Sequence, residues 1–248
     1  VTGVQTCALP IFYGGDLRSK GYTELFRDLA RQYGQKEKAE ADVQYIKNYL
    51  HWPVYNNISV EQEADYLASR INLKKATPGE AVLPNEHNIY IPICSNETKL
   101  KWATSLTQMR LESIQLSDAR IICGGKTTGF AGFMPGIAEE FMMAYKADKP
   151  IFLIGGFGGC AHIIAEILEG KATSKKLTDM VMEDSKYRDL IDYADTKGFK
   201  VDYGFFDTIK VDQLNNGLKP EDNERLFNSV DIIEIVSLVL SGLKKINK

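Results

Sequence analysis

Three segments of the chain share one pattern of hydrophobic and polar positions: a short apolar run, a glycine-rich loop and an amphipathic stretch. They read IFYGGDLRSKGYTELFRDLARQYG, ARIICGGKTTGFAGFMPGIAEEFMMAYK and PIFLIGGFGGCAHIIAEILEG. Short apolar runs predict buried strands, and apolar residues three and four positions apart predict the helices that follow them. Because near-continuous apolar strands are typical of sheets covered on both faces, the pattern predicts an α/β fold, a doubly wound parallel sheet with flanking helices.

The chain between the first two segments predicts two or more helices. Ser59 and Gln62 have the spacing of a capping box, so a helix should begin there. Residues 76–86 contain Pro, Gly and Pro and predict a surface loop. NIYIPIC (88–94) predicts a strand that leads into a long helix over 99–116.

The C-terminal part predicts mostly helices. One covers 184–197 and ends before Gly198, and FKVDYGFF is interpreted as an edge strand. Pro220 suits the first position of a helix, and a last helix is expected from about Asp231 to Leu240. No linker divides the chain, so residues 12–248 are expected to form a single domain with a helical C-terminal extension.

Composition excludes several classes of protein. The net charge of −3 and the pI near 5.7 argue against nucleic-acid and anionic-membrane partners. No stretch approaches the roughly 20 apolar residues of a membrane span. The cysteines follow no CxxC spacing, so neither a disulfide framework nor a metal site is indicated, and a reducing cytoplasmic setting is expected.

The first eleven residues, VTGVQTCALPI, match the translation of a common sequencing-library adapter. We therefore expect residues 1–11 to be an artefact of a truncated metagenomic sequence and exclude them from fold reasoning. The alternative is a genuine apolar N-terminus or the remnant of a signal peptide, although the stretch lacks the positively charged region of a signal peptide and its apolar run is short.

The glycine-rich loops are the candidate ligand-binding segments. We call residues 14–18 the first loop, 124–136 the second loop and 155–159 the third loop. In a parallel sheet such loops gather at the carboxyl edge, where glycine exposes backbone N–H groups and helix N-termini favour anions. The pattern therefore predicts a phosphate-bearing ligand.

Structural alternatives stay open for each feature. The third loop fits G-x-G-x-x-A, yet it is equally the pattern of a tight strand-to-helix turn. GGKTTG is not a Walker A sequence, which argues against nucleoside triphosphate hydrolysis. Glu139 and Glu140 could serve only the helix dipole, and Arg110 could be a surface arginine.

The order of these motifs resembles a known superfamily. YGGDLR, the MR pair at 109–110, ARIICGG, GFMPGIAEE and LIGGFGG look like the SLOG superfamily, named for the Smf/DprA and LOG proteins, and above all like its prokaryotic defence-associated groups. The resemblance spans roughly residues 12–168. It implies a Rossmann-like fold, a ligand derived from a nucleotide such as NAD, and a role in antiviral defence or signalling. It implies no required cofactor, and it leaves open whether the protein forms a homo-oligomer.

The resemblance also assigns roles to two side chains. Arg110 takes the place of the arginine of the LOG phosphoribohydrolases, and Glu140 that of the last glutamate of their PGGxGTxxE motif. The lysine after the arginine is here Leu111, and the glycine-threonine pair is Gly136-Ile137. Binding therefore looks better retained than catalysis. The resemblance further implies that about forty residues, and an upstream effector domain, preceded this sequence.

Three hypotheses follow: a sensor of a nucleotide-derived signal, a LOG-like nucleotide N-glycosidase with Glu140 and Arg110 as catalytic residues, and a scaffold without ligand. DNA binding of the DprA kind is disfavoured by the acidic pI. The candidate ligand-binding residues are Gly14, Gly15, Asp16, Arg18, Arg110, Gly124, Gly125, Lys126, Gly132, Gly136, Glu140, Gly156, Gly158 and Gly159.

Overall fold

The computed structural model describes residues 10–15, 17–18, 21–34 and 45–246, apart from the side chains of residues 33 and 34. The chain divides into two compact units. The first comprises Val1–Ile93 and Thr104–Ser113, and the second comprises Cys94–Ala103 and Ile114–Lys248. Each unit is α/β and contains a parallel sheet flanked by helices, so the predicted fold class is confirmed. The prediction of an adapter artefact concerns residues that lie largely outside the described ones, although the first strand already begins at Ile11.

Among the described residues, the sheet of the first unit has three parallel strands in the order β1-β2-β3. These are β1 (Ile11–Gly14), β2 (Ile46–Leu50) and β3 (Ile71–Lys75). Helices α1 (Tyr22–Gly34) and α2 (Val60–Ala68) belong to this unit. Buried apolar residues of β2 and β3 form its core together with Tyr66 of α2.

Helix α2 begins where the sequence predicts. The side chain of Ser59 accepts a hydrogen bond from the N–H of Gln62, and the side chain of Gln62 accepts one from the N–H of Ser59. This capping box satisfies two of the N–H groups that a helix start leaves without partners. The predicted capping box is therefore confirmed.

The sheet of the second unit has two described strands, β4 (Arg120–Cys123) and β5 (Ile151–Ile154), which pair in parallel. All four residues of β5 are buried, as the apolar run IFLI predicts. Its helices are α4 (Gly136–Lys146), α5 (Gly159–Leu168), α6 (Ser174–Met182), α7 (Ser185–Thr196), α8 (Pro220–Asn228) and α9 (Ile232–Ile246). Helix α3 (Asn96–Gln115) contributes residues to both units.

Two predicted strands are wrong. Residues 88–94 form no strand: Ile89, Tyr90 and Ile93 are exposed, and Pro92 has no N–H to donate to a neighbouring strand. FKVDYGFF is no edge strand either. The side chain of Asp202 accepts a hydrogen bond from the N–H of Gly204 and starts a 3₁₀ helix, Tyr203–Thr208.

The predicted loop over residues 76–86 is confirmed, but some of its residues are buried. Ala76 and Val82 are buried, and the N–H of Gly79 donates to the hydroxyl of Ser105. In the described part of the chain, no helix is both long and apolar enough to cross a membrane.

Candidate functional site

The second and third loops are joined directly through their backbones. The N–H of Cys160 donates to the carbonyl of Gly125 at 3.0 Å, and the N–H of Ala161 donates to the carbonyl of Gly124 at 2.8 Å. Because β4 and β5 are neighbouring parallel strands, both loops leave the same edge of the sheet. The structure therefore brings these two predicted loops together.

Glycine is required where the loops meet. A Cβ atom on Gly159 would stand 2.4 Å from the carbonyl oxygen of Gly125, and Gly159 has a φ of +69°. Gly125 has a φ of +90°, and its Cβ would stand 2.5 Å from Cγ1 of Ile137. Other residues would meet both a clash and left-handed strain at these positions.

The N–H groups at the start of α5 are mostly occupied by protein. Those of Cys160 and Ala161 serve the second loop, and that of Gly158 donates to the carbonyl of Gly155. These bonds are what a tight strand-to-helix turn requires. They leave fewer donors for an anion at α5 than the G-x-G-x-x-A pattern suggests.

The second loop, in contrast, presents polar groups outward. Lys126 and Thr128 are exposed, and within the described residues the side chains of Lys126, Thr127 and Thr128 make no hydrogen bond or ion pair. A Cβ atom on Gly124 or on Gly129 would meet nothing within 4 Å. An ammonium group beside a glycine-rich backbone and open space is a suitable arrangement for binding phosphate.

Aromatic residues from the C-terminal part hold the far end of the second loop. The hydroxyl of Tyr187 donates to the carbonyl of Phe133 at 2.6 Å and lies 2.8 Å from the hydroxyl of Tyr203. The ring of Phe133 also stacks on Phe199 with centroids 5.5 Å apart. Burial raises the pKa of both tyrosines, so these hydroxyls stay protonated.

Sequence reasoning missed this aromatic support. Tyr187, Phe199 and Tyr203 lie more than fifty residues after the loop, and FKVDYGFF was interpreted as a strand. The available signal was the density of aromatic side chains in that segment.

The two adjacent glutamates of α4 have different surroundings. The carboxylate of Glu140 lies 3.8 Å from the guanidinium of Arg120, which is buried at the start of β4. Glu139 is buried, and its charge contributes to raising the pKa of Tyr187 and Tyr203. An ion pair between largely buried groups gives Glu140 a structural role that the family motif alone does not indicate. Sequence reasoning did not single out Arg120.

Cys160 packs next to the second loop and has a structural role, because its N–H donates to the carbonyl of Gly125. Its side chain is fully buried, and burial raises the pKa of the thiol to about 12. Cys94, Cys123 and Cys160 are all free thiols. Across the described ranges, no three His, Cys, Asp or Glu side chains are grouped to hold a metal ion.

The predicted residues of the first loop lie in the first unit. Gly14 ends β1, and the N–H of Gly15 donates to the carbonyl of Tyr49 at 3.4 Å. Arg18 is exposed, whereas Asp16 lies outside the described residues. Arg110 is on α3 and is only 7% exposed, so the alternative of a surface arginine is wrong.

Three further glycines of the predicted ligand site lie within the loops or pack against neighbouring backbone. Gly132 is buried within the second loop, and Gly136 begins α4 directly after Pro135. Gly156 packs against the turn between α8 and α9, where its Cβ would stand 2.1 Å from the carbonyl oxygen of Ser229.

Parallel strands flanked by helices, with glycine loops at their carboxyl ends, define a Rossmann-like α/β protein. The model of the SLOG cluster2 family matches residues 7–226, and the chain belongs to this family. The resemblance to the SLOG superfamily stated from the sequence is thereby confirmed. A search of curated proteins found no match. Family membership supports a nucleotide-related function at a coarse level.

Proposed function

We propose that the chain binds a nucleotide-derived signal and acts as a sensor in a prokaryotic defence or signalling system. The observation that carries the proposal is the second loop, where Lys126 lies exposed between Gly124-Gly125 and Gly129 at the carboxyl edge of a parallel strand pair. Membership of the SLOG cluster2 family supports the nucleotide class of the ligand.

The chemistry of the loop favours the phosphates of such a ligand over its base. Lys126 supplies a cation, and Thr127 and Thr128 supply hydroxyl groups that can donate hydrogen bonds to phosphate oxygens. The positive φ angles of Gly124 and Gly125 turn the backbone without a Cβ in the way of an approaching anion.

Binding is better supported than hydrolysis. N-glycosidic cleavage needs a carboxylate within hydrogen-bond reach of the ribose. The glutamate at the motif position, Glu140, lies close to the buried Arg120 instead. Gly136-Ile137 also lacks the hydroxyl that the PGGxGTxxE motif carries. A LOG-like N-glycosidase is the second candidate, because a carboxylate is present at that position.

The experiment is isothermal titration of the chain with AMP, NAD, ADP-ribose and cyclic ADP-ribose isomers, with adenosine as the ligand that lacks phosphate. We expect at least one phosphorylated ligand to bind and adenosine not to bind. Lys126→Ala should weaken binding by about 10- to 100-fold, the usual effect of losing a hydrogen bond to a charged group. Lys219→Ala, which removes an exposed lysine at the start of α8, is the matched control and should bind normally.

Chromatography of the same mixtures separates the two candidate functions. Unchanged nucleotide after prolonged incubation supports the sensor. Release of free base or ribose phosphate, lost in Glu140→Gln, supports the N-glycosidase. Equal affinity of the wild type and Lys126→Ala for every phosphorylated ligand would refute a phosphate site at the second loop.

A further inference from the structure

The third loop carries an exposed aromatic ring in its middle. Phe157 is 48% exposed, whereas Phe141, Phe152 and Phe227 of the same unit are fully buried. Among the described residues, the ring of Phe157 pairs with no other aromatic ring. Phenylalanine is one of the residues most often buried, because contact between its ring and water is unfavourable. Phe157 therefore presents apolar surface to solvent at the carboxyl edge of β5.

The backbone on either side of Phe157 is fixed. Gly156 packs so closely that a Cβ on it would stand 2.1 Å from the carbonyl oxygen of Ser229. The N–H of Gly158 donates to the carbonyl of Gly155 at 3.0 Å and closes the turn around Phe157. A phenylalanine side chain has only two torsions to order, so a ring on a fixed turn binds a flat partner at a low entropic cost.

The connection from Phe157 to the second loop carries almost no side chains. The two residues after Phe157 are glycines, and the next residue, Cys160, is buried and donates its N–H to the carbonyl of Gly125. Gly125 directly precedes Lys126, and both Gly125 and Gly159 are exposed. An exposed ring and an exposed ammonium group are therefore joined by a short stretch of open backbone.

We propose that Phe157 recognises the base of the ligand, which stacks on the exposed ring while the phosphates lie at the second loop. This inference rests on the phosphate site proposed above and narrows its ligand. Every nucleobase has a flat aromatic face, so stacking favours nucleotides that keep a base over sugar phosphates, with little preference among bases. Phe157 is then the residue that determines this specificity.

The size of the exposed surface favours a base over a protein partner. A phenylalanine buries about 150–250 Å² when it is fully covered, so the exposed half of Phe157 offers roughly 100 Å². A standard protein interface needs about 800 Å² from each partner. Glycines flank Phe157 on both sides in the chain and add no apolar side chain to this surface. A single ring of this area matches one stacked base.

The test is isothermal titration of the whole chain with AMP and ADP-ribose, which carry adenine, and with ribose 5-phosphate, which carries no base. We expect the adenine ligands to bind more tightly. Phe157→Ala should weaken their binding by roughly 5- to 150-fold, the usual effect of losing one stacked base, and leave the affinity for ribose 5-phosphate unchanged. Phe157→Tyr should bind like the wild type. Leu116→Ala removes a 63% exposed side chain four residues before β4, at the opposite edge of the sheet, and is the matched control.

The two proposals fail in different ways in this experiment. Lys126→Ala should weaken the binding of all three ligands, because each carries phosphate. If Lys126→Ala weakens binding and Phe157→Ala does not, the base subsite is refuted and the phosphate site stands. An equal loss of all three ligands in Phe157→Ala also refutes the base subsite. If none of the ligands binds, both proposals fall.

Fluorescence tests the contact between ring and base directly. Phe157→Trp places an indole at this position, and stacking on adenine quenches indole fluorescence. AMP and ADP-ribose should therefore quench this variant, whereas ribose 5-phosphate should not. Leu116→Trp is the control, and the wild type, with Trp52 and Trp102, supplies the background signal. Equal responses of the two tryptophan variants to the adenine ligands would overturn the proposal.

Discussion

Gly159→Ala tests whether the second and third loops truly meet through their backbones. An alanine Cβ at this position would lie 2.4 Å from the carbonyl oxygen of Gly125, and the residue would keep a φ of +69°. The left-handed conformation costs about 1–2 kcal/mol. Displacing the Gly125 carbonyl also breaks its bond with the N–H of Cys160, which contributes about 0.5–1.5 kcal/mol.

Gly170→Ala is the matched control at the other end of α5. Gly170 has a φ of +71°, and a Cβ there would meet nothing within 4 Å, so only the conformational cost applies. We expect Gly159→Ala to lower the free energy of unfolding by at least about 1 kcal/mol more than the control, equivalent to about 2–4 °C in melting temperature.

Urea unfolding followed by circular dichroism measures both variants. The midpoint should fall further for Gly159→Ala while the dependence on urea stays unchanged. Equal losses in the two variants would refute the contact between the loops, because the steric part of the effect would be missing.

Three other predictions concern residues around the loops. Tyr187→Phe should destabilise the chain by about 1–3 kcal/mol in urea unfolding, since it leaves the part-buried carbonyl of Phe133 without this donor; an unchanged midpoint would argue against the aromatic support. Ser174 donates two hydrogen bonds to Asp207 and lowers its pKa below the ordinary value near 3.8. The stabilisation is therefore present above that value and lost as the pH falls through the folded pKa, and Asp207→Asn should flatten the acid limb of stability against pH. Under native alkylation with iodoacetamide, peptide mapping should find Cys94 modified and the buried Cys160 protected until the chain unfolds.

Part of the fold could be predicted because local signals agreed with tertiary structure. IFLI is a continuous apolar run and forms the fully buried β5. Pro220 begins α8, as its missing N–H and fixed φ favour. Ser95 and Thr98 exchange hydrogen bonds and start α3 three residues before the predicted position, because polar caps precede the apolar pattern.

Strands β2 and β3 were missed because their sequences, IKNYL and INLKK, are interrupted by polar residues. Asn48 is fully buried in β2, where its side chain donates to the hydroxyl of Thr23. A buried polar group of this kind breaks the apolar pattern, and its partner 25 residues away gives no local signal.

The glycine loops of the candidate site were predictable because positive φ and close approach demand glycine. The residues that contact these loops in the folded chain could not be predicted. Which N–H groups the turn itself consumes, and which aromatic residues hold Phe133, depend on contacts between residues distant in sequence. Lys126 could be recognised as a candidate, whereas its exposure and the open space around it required the structure.

The packing of the third loop limits how this protein could be redesigned. A side chain on Gly155 would strike the carbonyl oxygen of Phe227 at 2.4 Å, and one on Gly156 would strike that of Ser229 at 2.1 Å. A Cβ on Gly158 would meet nothing within 4 Å, but its φ of +77° strains any other residue, so Phe157, with 48% of its surface exposed, is the residue of this loop that can be exchanged without a clash or backbone strain. A library intended to change recognition at this edge of the sheet should therefore vary Phe157 and the exposed positions of the second loop, and keep the glycines of the third loop unchanged.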